Sequence, residues 1–177
     1  MNMRTAGRRA ARVLSRRWLL TVLLVFVPAL ASAQSLVIGV RHAERADGGS
    51  GTMLSQTDPL LSAEGEARAK RLAAMLADAG ITAIYATEYK RTQDTAKPLA
   101  QKIGVEVRTH KAQDNAGLAA KLKADHAKDV VLVIGHSNTL PNVIKALGGP
   151  EWKIPEAEYD TIYIFVPATG VLTKIRY

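Results

Sequence analysis

Two uninterrupted apolar runs, Leu36-Val37-Ile38-Gly39-Val40 and Val130-Val131-Leu132-Val133-Ile134, set the architecture. Runs of this length bounded by polar residues are strands buried on both faces. Between and after them, strand and helix patterns alternate. Ser62 is a natural N-cap, with Glu64 and Glu66 suited to the positive end of a helix dipole. Ala69, Leu72, Ala73 and Leu76 then recur at helical spacing, and Gly80 is expected to stop that helix. A strand over 81–87 follows. The next helical face carries Thr92, Ala96, Leu99, Ala100 and Ile103, with Pro98 expected to kink it. Residues 105–108 read as a short strand, Asp114 as the cap of a helix with Leu118 and Leu122, and 129–134 as the clearest strand. A helix through Val143, Ile144 and Leu147 closes at Gly148-Gly149-Pro150, and strands over 159–166 and 171–177 form a hairpin around Pro167-Ala168-Thr169-Gly170. The alternation predicts an α/β fold, a three-layer α/β/α sandwich with a mostly parallel central sheet.

The first 33 residues stand apart. Arg4, Arg8, Arg9, Arg12, Arg16 and Arg17 precede the apolar run 18–27, which ends in Pro28 and Ala31-Ser32-Ala33. This is the layout of a secretory signal peptide with cleavage after Ala33, leaving residues 34–177 as one domain. The apolar run falls short of the roughly 20 residues a membrane span needs, so no stable span is expected after cleavage. Ser15-Arg16-Arg17 leaves the twin-arginine route open beside the general one. Six of the 24 basic residues lie in this segment, leaving 18 against 16 acidic ones, so the high pI is mostly a targeting feature. A nearly neutral domain without basic tracts gives no support to nucleic-acid binding. With no cysteine, it carries neither disulfide nor thiolate metal site. Export into a bacterial periplasm or the medium is the expected localisation.

In open α/β sheets, catalytic groups gather where parallel strands end. The first run ends in Arg41-His42-Ala43-Glu44 and the second in Gly135-His136-Ser137-Asn138, while Arg91 follows the 81–87 strand in the first turn of a helix. Taken singly, each reads as an ordinary polar strand end or a solvated arginine. Side by side, two imidazoles and two guanidiniums with no neutralising carboxylate invite a dianion, which arginine's planar fork matches at two oxygens. The positive charges lower the imidazole pKa values, and a neutral imidazole is a nucleophile.

Arg41-His42-Ala43-Glu44, Leu61-Ser62-x-x-Gly65, Thr87-x-x-x-Arg91-Thr92-x-x-Thr95-Ala96 and Gly135-His136-Ser137-Asn138 together resemble the histidine phosphatase superfamily, which includes the cofactor-dependent phosphoglycerate mutases. The resemblance spans nearly all of 34–177 and implies a phosphoglycerate mutase-like fold. It implies a phosphoric monoester hydrolase of the histidine acid phosphatase type, with His42 as the residue that becomes phosphohistidine. Arg41, Arg91 and His136 then hold the phosphoryl group, Ser137 joins them in substrate binding, and neither metal nor cofactor is needed. Ala43 stands where the family usually has glycine. Two carboxylates are level candidates for the general acid. Glu44 is close to the nucleophile, with a salt bridge to Arg45 or Arg41 as the alternative. Asp114 lies on the stretch where mutase-like members carry the acid, with helix capping as the alternative. Glu88 ranks behind both. The substrate is a small phosphomonoester or a phosphorylated envelope or protein component.

Three other readings compete. Gly135-His136-Ser137-Asn138-Thr139 imitates a serine hydrolase elbow, but that fold takes its histidine after the serine, and the histidines stand at 42, 110, 126 and 136. A phosphate-binding or scaffold protein without turnover shares every motif. A mutase-type phosphotransferase needs insertions to shield its phosphohistidine, for which the domain is short. His110 and His126 read as surface residues.

Overall fold

The computed structural model describes residues 35–48 and 58–177. The expected signal peptide and its cleavage point lie outside the described residues, as do residues 49–57 of the Gly-, Ser-, Thr- and Asp-rich stretch 46–60, which the sequence reads as a loop over the site.

Six strands and four helices follow in the order β1 (Leu36–Arg41), α1 (Ala63–Leu76), β2 (Ile81–Thr87), α2 (Lys90–Ile103), β3 (Val107–His110), α3 (Asn115–Asp125), β4 (Val130–Gly135), α4 (Thr139–Ala146), β5 (Thr161–Val166) and β6 (Val171–Arg176). They form one sheet in the order β3-β2-β4-β1-β5-β6. The first four strands in that order are mutually parallel, β5 runs antiparallel to β1, and β6 antiparallel to β5. The two apolar runs are the central pair, aligned from Leu36 opposite Val130 to Arg41 opposite Gly135. That register brings the residues after Arg41 and Gly135 to the same end of the sheet, and the His42 N–H donates to the Gly135 carbonyl at 2.9 Å.

Alternation along each strand divides the core between two faces. Ile38, Ile84, Leu132 and Ile134 pack with Leu72 and Leu76 of α1 and Leu99 of α2. Val37, Tyr85, Val131 and Val133 pack with Leu118 and Leu122 of α3 and Val143 and Ile144 of α4. Each fully buried side chain of this kind contributes about 1.5–3 kcal/mol, so the three layers are held by burial on both sides of one sheet.

Several boundaries differ from the sequence expectation. The strand placed at 105–108 lies at Val107–His110, because Gly104 adopts φ 70° and the Val105 N–H bonds the Ala100 carbonyl, which spends Val105 on closing α2. Helix α1 ends at Leu76, four residues before Gly80, which turns the chain into β2 at φ 69°. Pro98 lies inside α2 without ending it. The hairpin strands are shorter than expected, at 161–166 and 171–176.

Gly65 has a steric reason. A Cβ there would come within 2.3 Å of the Glu44 carbonyl oxygen, whose other engagement is the Ser62 N–H at 2.9 Å. Helix α1 is therefore packed directly onto the backbone that follows His42, and Ser62 caps it by accepting from the Gly65 N–H at 3.1 Å.

Candidate active site

Three of the four parallel strands, β1, β2 and β4, deliver the residues at their ends to one place. Arg41 ends β1 and His42 follows it; Thr87 ends β2 just ahead of Arg91; His136 follows β4. The rings of His42 and His136 meet edge to face with centroids 5.2 Å apart. Arg91 Nη2 lies 3.5 Å from His136 Nδ1. All four side chains are buried. Arg91 is thus no solvated arginine at a helix start. It lies over the Tyr89 ring at 4.3 Å, and Tyr89 in turn meets the His136 ring edge-on.

The threonines of the Thr87–Ala96 motif hold this arrangement together. Thr95 donates to the Arg91 carbonyl and accepts from the Ala43 N–H at 3.0 Å, fixing the loop after His42 to α2. Thr92 bonds the Tyr89 carbonyl and the Thr87 hydroxyl, and Thr87 Oγ1 lies 3.0 Å from His136 Nε2. Thr139 accepts from the His136 N–H at 2.7 Å. Ala43 fits where glycine is usual, because no described non-glycine residue has positive φ.

These contacts assign the protons. His42 Nδ1 lies 2.8 Å from the Ala43 carbonyl oxygen, which can only accept, so Nδ1 carries the hydrogen and Nε2 the lone pair. Arginine can only donate, so His136 Nδ1 accepts from Arg91 and its Nε2–H donates to Thr87. Burial, followed by the Arg41 and Arg91 charges acting against the Ala43 hydrogen bond, lowers the His42 pKa from 6.5 to about 3. Burial, followed by the His42, Arg91 and Arg41 charges, lowers that of His136 to about 2. Both rings are neutral at neutral pH.

The shift has a sign that can be measured. In the unfolded chain these imidazoles take protons near pH 6.5, whereas in the folded chain they stay neutral down to about pH 3. Unfolding therefore binds protons across that window, and stability is lost as pH falls through it. Urea midpoints measured from neutral pH to about pH 4 are expected to fall, and to fall less steeply in the double variant His42→Asn/His136→Asn. Equal slopes in the two proteins would contradict the assignment.

The cluster is not free of carboxylates, contrary to the sequence expectation. Glu156 Oε2 accepts from Arg41 Nη2 at 2.7 Å, and Glu156 also accepts from the Ser137 hydroxyl. Asp58 Oδ1 accepts from Arg91 Nη1 at 3.3 Å, and its Oδ2 from the Lys90 N–H at the start of α2. Both pairings link segments far apart in sequence, which no local pattern announces. Arg41 is further held by the carbonyls of Pro155, Glu156 and Glu158 and lies 4.1 Å over the Tyr159 ring. The Nε–H groups of Arg41 and Arg91 are buried without a hydrogen-bond partner. Buried donors of a charged group call for an acceptor, and an anion supplies one.

The candidate acids lie elsewhere in the network. Glu44 pairs with Arg68, not with Arg41 or Arg45: Arg68 Nε donates to both its oxygens, at 2.7 and 2.9 Å. Burial raises its pKa, but the Arg68 hydrogen bonds and charge outweigh that and hold it below the ordinary value. Asp114 caps α3 by accepting from the Gly117 N–H at 2.9 Å. Glu88 accepts from the Ala112 N–H at 2.7 Å. Of the two remaining histidines, both read from the sequence as surface residues, the fold buries one and half-covers the other. His126 is buried, with Nδ1 2.6 Å from Asp129 and Nε2 3.0 Å from the Tyr85 hydroxyl, tying the end of α3 to β2. His110 is half-buried at the end of β3, beside Thr87 in register.

Among the described residues, no three His, Asp or Glu side chains are grouped to hold a metal ion, and no helix is long and apolar enough to cross a membrane. Comparison with known proteins adds the following. Residues 37–117 match the family model of the histidine phosphatase superfamily (branch 1). No curated protein matches in sequence. Among solved structures, a phosphoserine phosphatase from Entamoeba histolytica in complex with 3-phosphoglyceric acid superposes with a TM-score of 0.64 at 17% identity, covering 81% of this chain and 98% of its own. A mycobacterial glucosyl-3-phosphoglycerate phosphatase complexed with VO3 gives 0.61 at 16% identity, covering 80% of this chain and 98% of its own. At such identities the likeness establishes a shared fold.

Proposed function

Because this chain belongs to the histidine phosphatase superfamily, we propose that it is an exported, metal-independent phosphomonoesterase working through a phosphohistidine on His42. The observation that carries the reading is the meeting of two neutral imidazoles with two buried guanidiniums whose Nε–H donors are unpaired. Such a point attracts a phosphoryl dianion and presents it with a nucleophile.

The His42 Nδ1–H anchored on the Ala43 carbonyl leaves the Nε2 lone pair to attack phosphorus. Arg41, Arg91 and His136 neutralise the charge that spreads over the equatorial oxygens in the transition state, and Ser137 supplies a hydroxyl at the rim. The dianion offsets the two arginine charges and so favours a proton on His136, turning that imidazole into a further donor to the oxygens. Water then cleaves the N–P bond and returns the lone pair to His42. The pocket recognises a phosphoryl group, which leaves small phosphomonoesters and phosphorylated envelope or protein components as substrate classes. The names of the superposed phosphatases agree with a phosphomonoester. The basic and apolar segment before Ser35 supports export to a bacterial envelope or beyond, with residues 34–177 as the working domain.

Residues 34–177 are expected to hydrolyse para-nitrophenyl phosphate in EDTA, and quenching in alkaline denaturant after brief mixing with labelled substrate should trap protein-bound phosphate that is stable in base and released by later acid treatment. Activity abolished by the chelator, or label that survives acid, would sink the mechanism. Binding of vanadate without turnover would favour the phosphate-binding alternative.

A further inference from the structure

We propose that Glu156 is the proton donor to the leaving group and the base that later takes a proton from water, an assignment that rests on the phosphatase reading above. Three observations converge on it. Glu156 touches the site directly, with Oε2 2.7 Å from Arg41 Nη2 and Oε1 on the Ser137 hydroxyl, two groups placed here in substrate binding. It is free to move, since its side chain is 79% exposed. And Arg41 does not depend on it, because the carbonyls of Pro155, Glu156 and Glu158 hold Nη1 whether or not the carboxylate stays.

The other carboxylates near the cluster lack this combination. Glu44 is held ionised by Arg68, Asp114 caps α3, and Glu88 accepts from the Ala112 N–H. Asp58 does touch Arg91, but its other oxygen accepts the Lys90 N–H and so fixes the start of α2, which Glu156 does for no element. Glu156 is the one that substrate can displace without dismantling an element.

Displacement is what prepares it. A phosphoryl dianion settling against Arg41 takes over the cation that Glu156 holds and releases the carboxyl group to turn toward the departing oxygen. In the first step the His42 Nε2 pair forms the N–P bond, the P–O bond breaks, and the departing oxygen takes both its electron pair and the Glu156 proton. In the second, the Glu156 carboxylate accepts a proton from water as its oxygen bonds to phosphorus, and the N–P pair returns to His42.

The test compares leaving groups. Para-nitrophenoxide departs unaided, whereas phenoxide is as basic as a tyrosinate and needs a proton. In Glu156→Gln, kcat/KM for phenyl phosphate should fall at least about tenfold more than for para-nitrophenyl phosphate. Equal losses on the two esters would show that Glu156 merely steadies Arg41 and would overturn the assignment. Equal gains would show a carboxylate that only competes with substrate, and would overturn it too. Because the side chain is exposed, an unchanged urea midpoint will confirm that the variant folds. A wild-type protein inert toward both esters would remove the phosphatase reading itself, and this assignment with it.

Discussion

Replacing His42 by alanine is expected to lower kcat/KM for para-nitrophenyl phosphate by at least about 10⁴. The size follows from what the imidazole does that nothing beside it can replace. Its Nε2 carries the lone pair, because Nδ1 is fixed as a donor to Ala43, and its depressed pKa keeps that pair available at neutral pH. The neighbouring ring of His136 cannot substitute, since its Nε2 donates to Thr87 and its Nδ1 accepts from Arg91. The good leaving group of this ester makes the result independent of which carboxylate supplies the proton. The guanidiniums remain in the variant, so phosphate or vanadate should still bind, and titration calorimetry will separate a lost nucleophile from a collapsed site. A variant within tenfold of the wild type would remove His42 from the chemistry.

Arg91→Ala should cost at least about 10² in kcat/KM, because it deletes a charge aimed at where negative charge develops. Arg91 is buried, stacked on Tyr89 and tied to Asp58, so the positive charge is held in place without reorganisation during the reaction. Lysine should restore little. An ammonium on a flexible stem has no planar fork to stack on Tyr89 while reaching both Asp58 and the phosphoryl oxygens. A loss below tenfold in Arg91→Ala would reduce this residue to a structural support for α2.

The fold was legible wherever a short stretch of sequence determines its own surroundings. The central strands β1 and β4 are continuous apolar runs because both their faces are covered. The Ser62 cap of α1 depends on atoms within one helical turn. Boundaries slipped where a neighbour competed for the same backbone group, as when closing α2 consumed Val105. The alignment of His42 and His136 was legible too, since parallel strands of equal length put their ends together. The threonines at 87, 92 and 95 stood in the motif pattern, yet their work is done through hydrogen bonds to residues up to 52 positions away.

What surrounds the four charged side chains belongs to tertiary structure alone. Glu156 and Tyr159 lie between α4 and β5, the first outside every element read from the sequence and the second at the edge of an expected strand, and Asp58 lies before α1. Only the placement of β5 beside β1 brings the first two onto Arg41, more than a hundred residues away. Glu44 shows the same limit from the other side. Its position next to the nucleophile suggested an acid, but the packing of α1 onto the loop supplied Arg68, 24 residues on, and made it an ion-pair partner. Sequence by itself determined the elements, the sheet end at which chemistry collects and the residue types that meet there, because hydrophobic periodicity and strand ends are local properties. Which carboxylate faces which cation was decided by the fold, because electrostatic partners are chosen by distance in space.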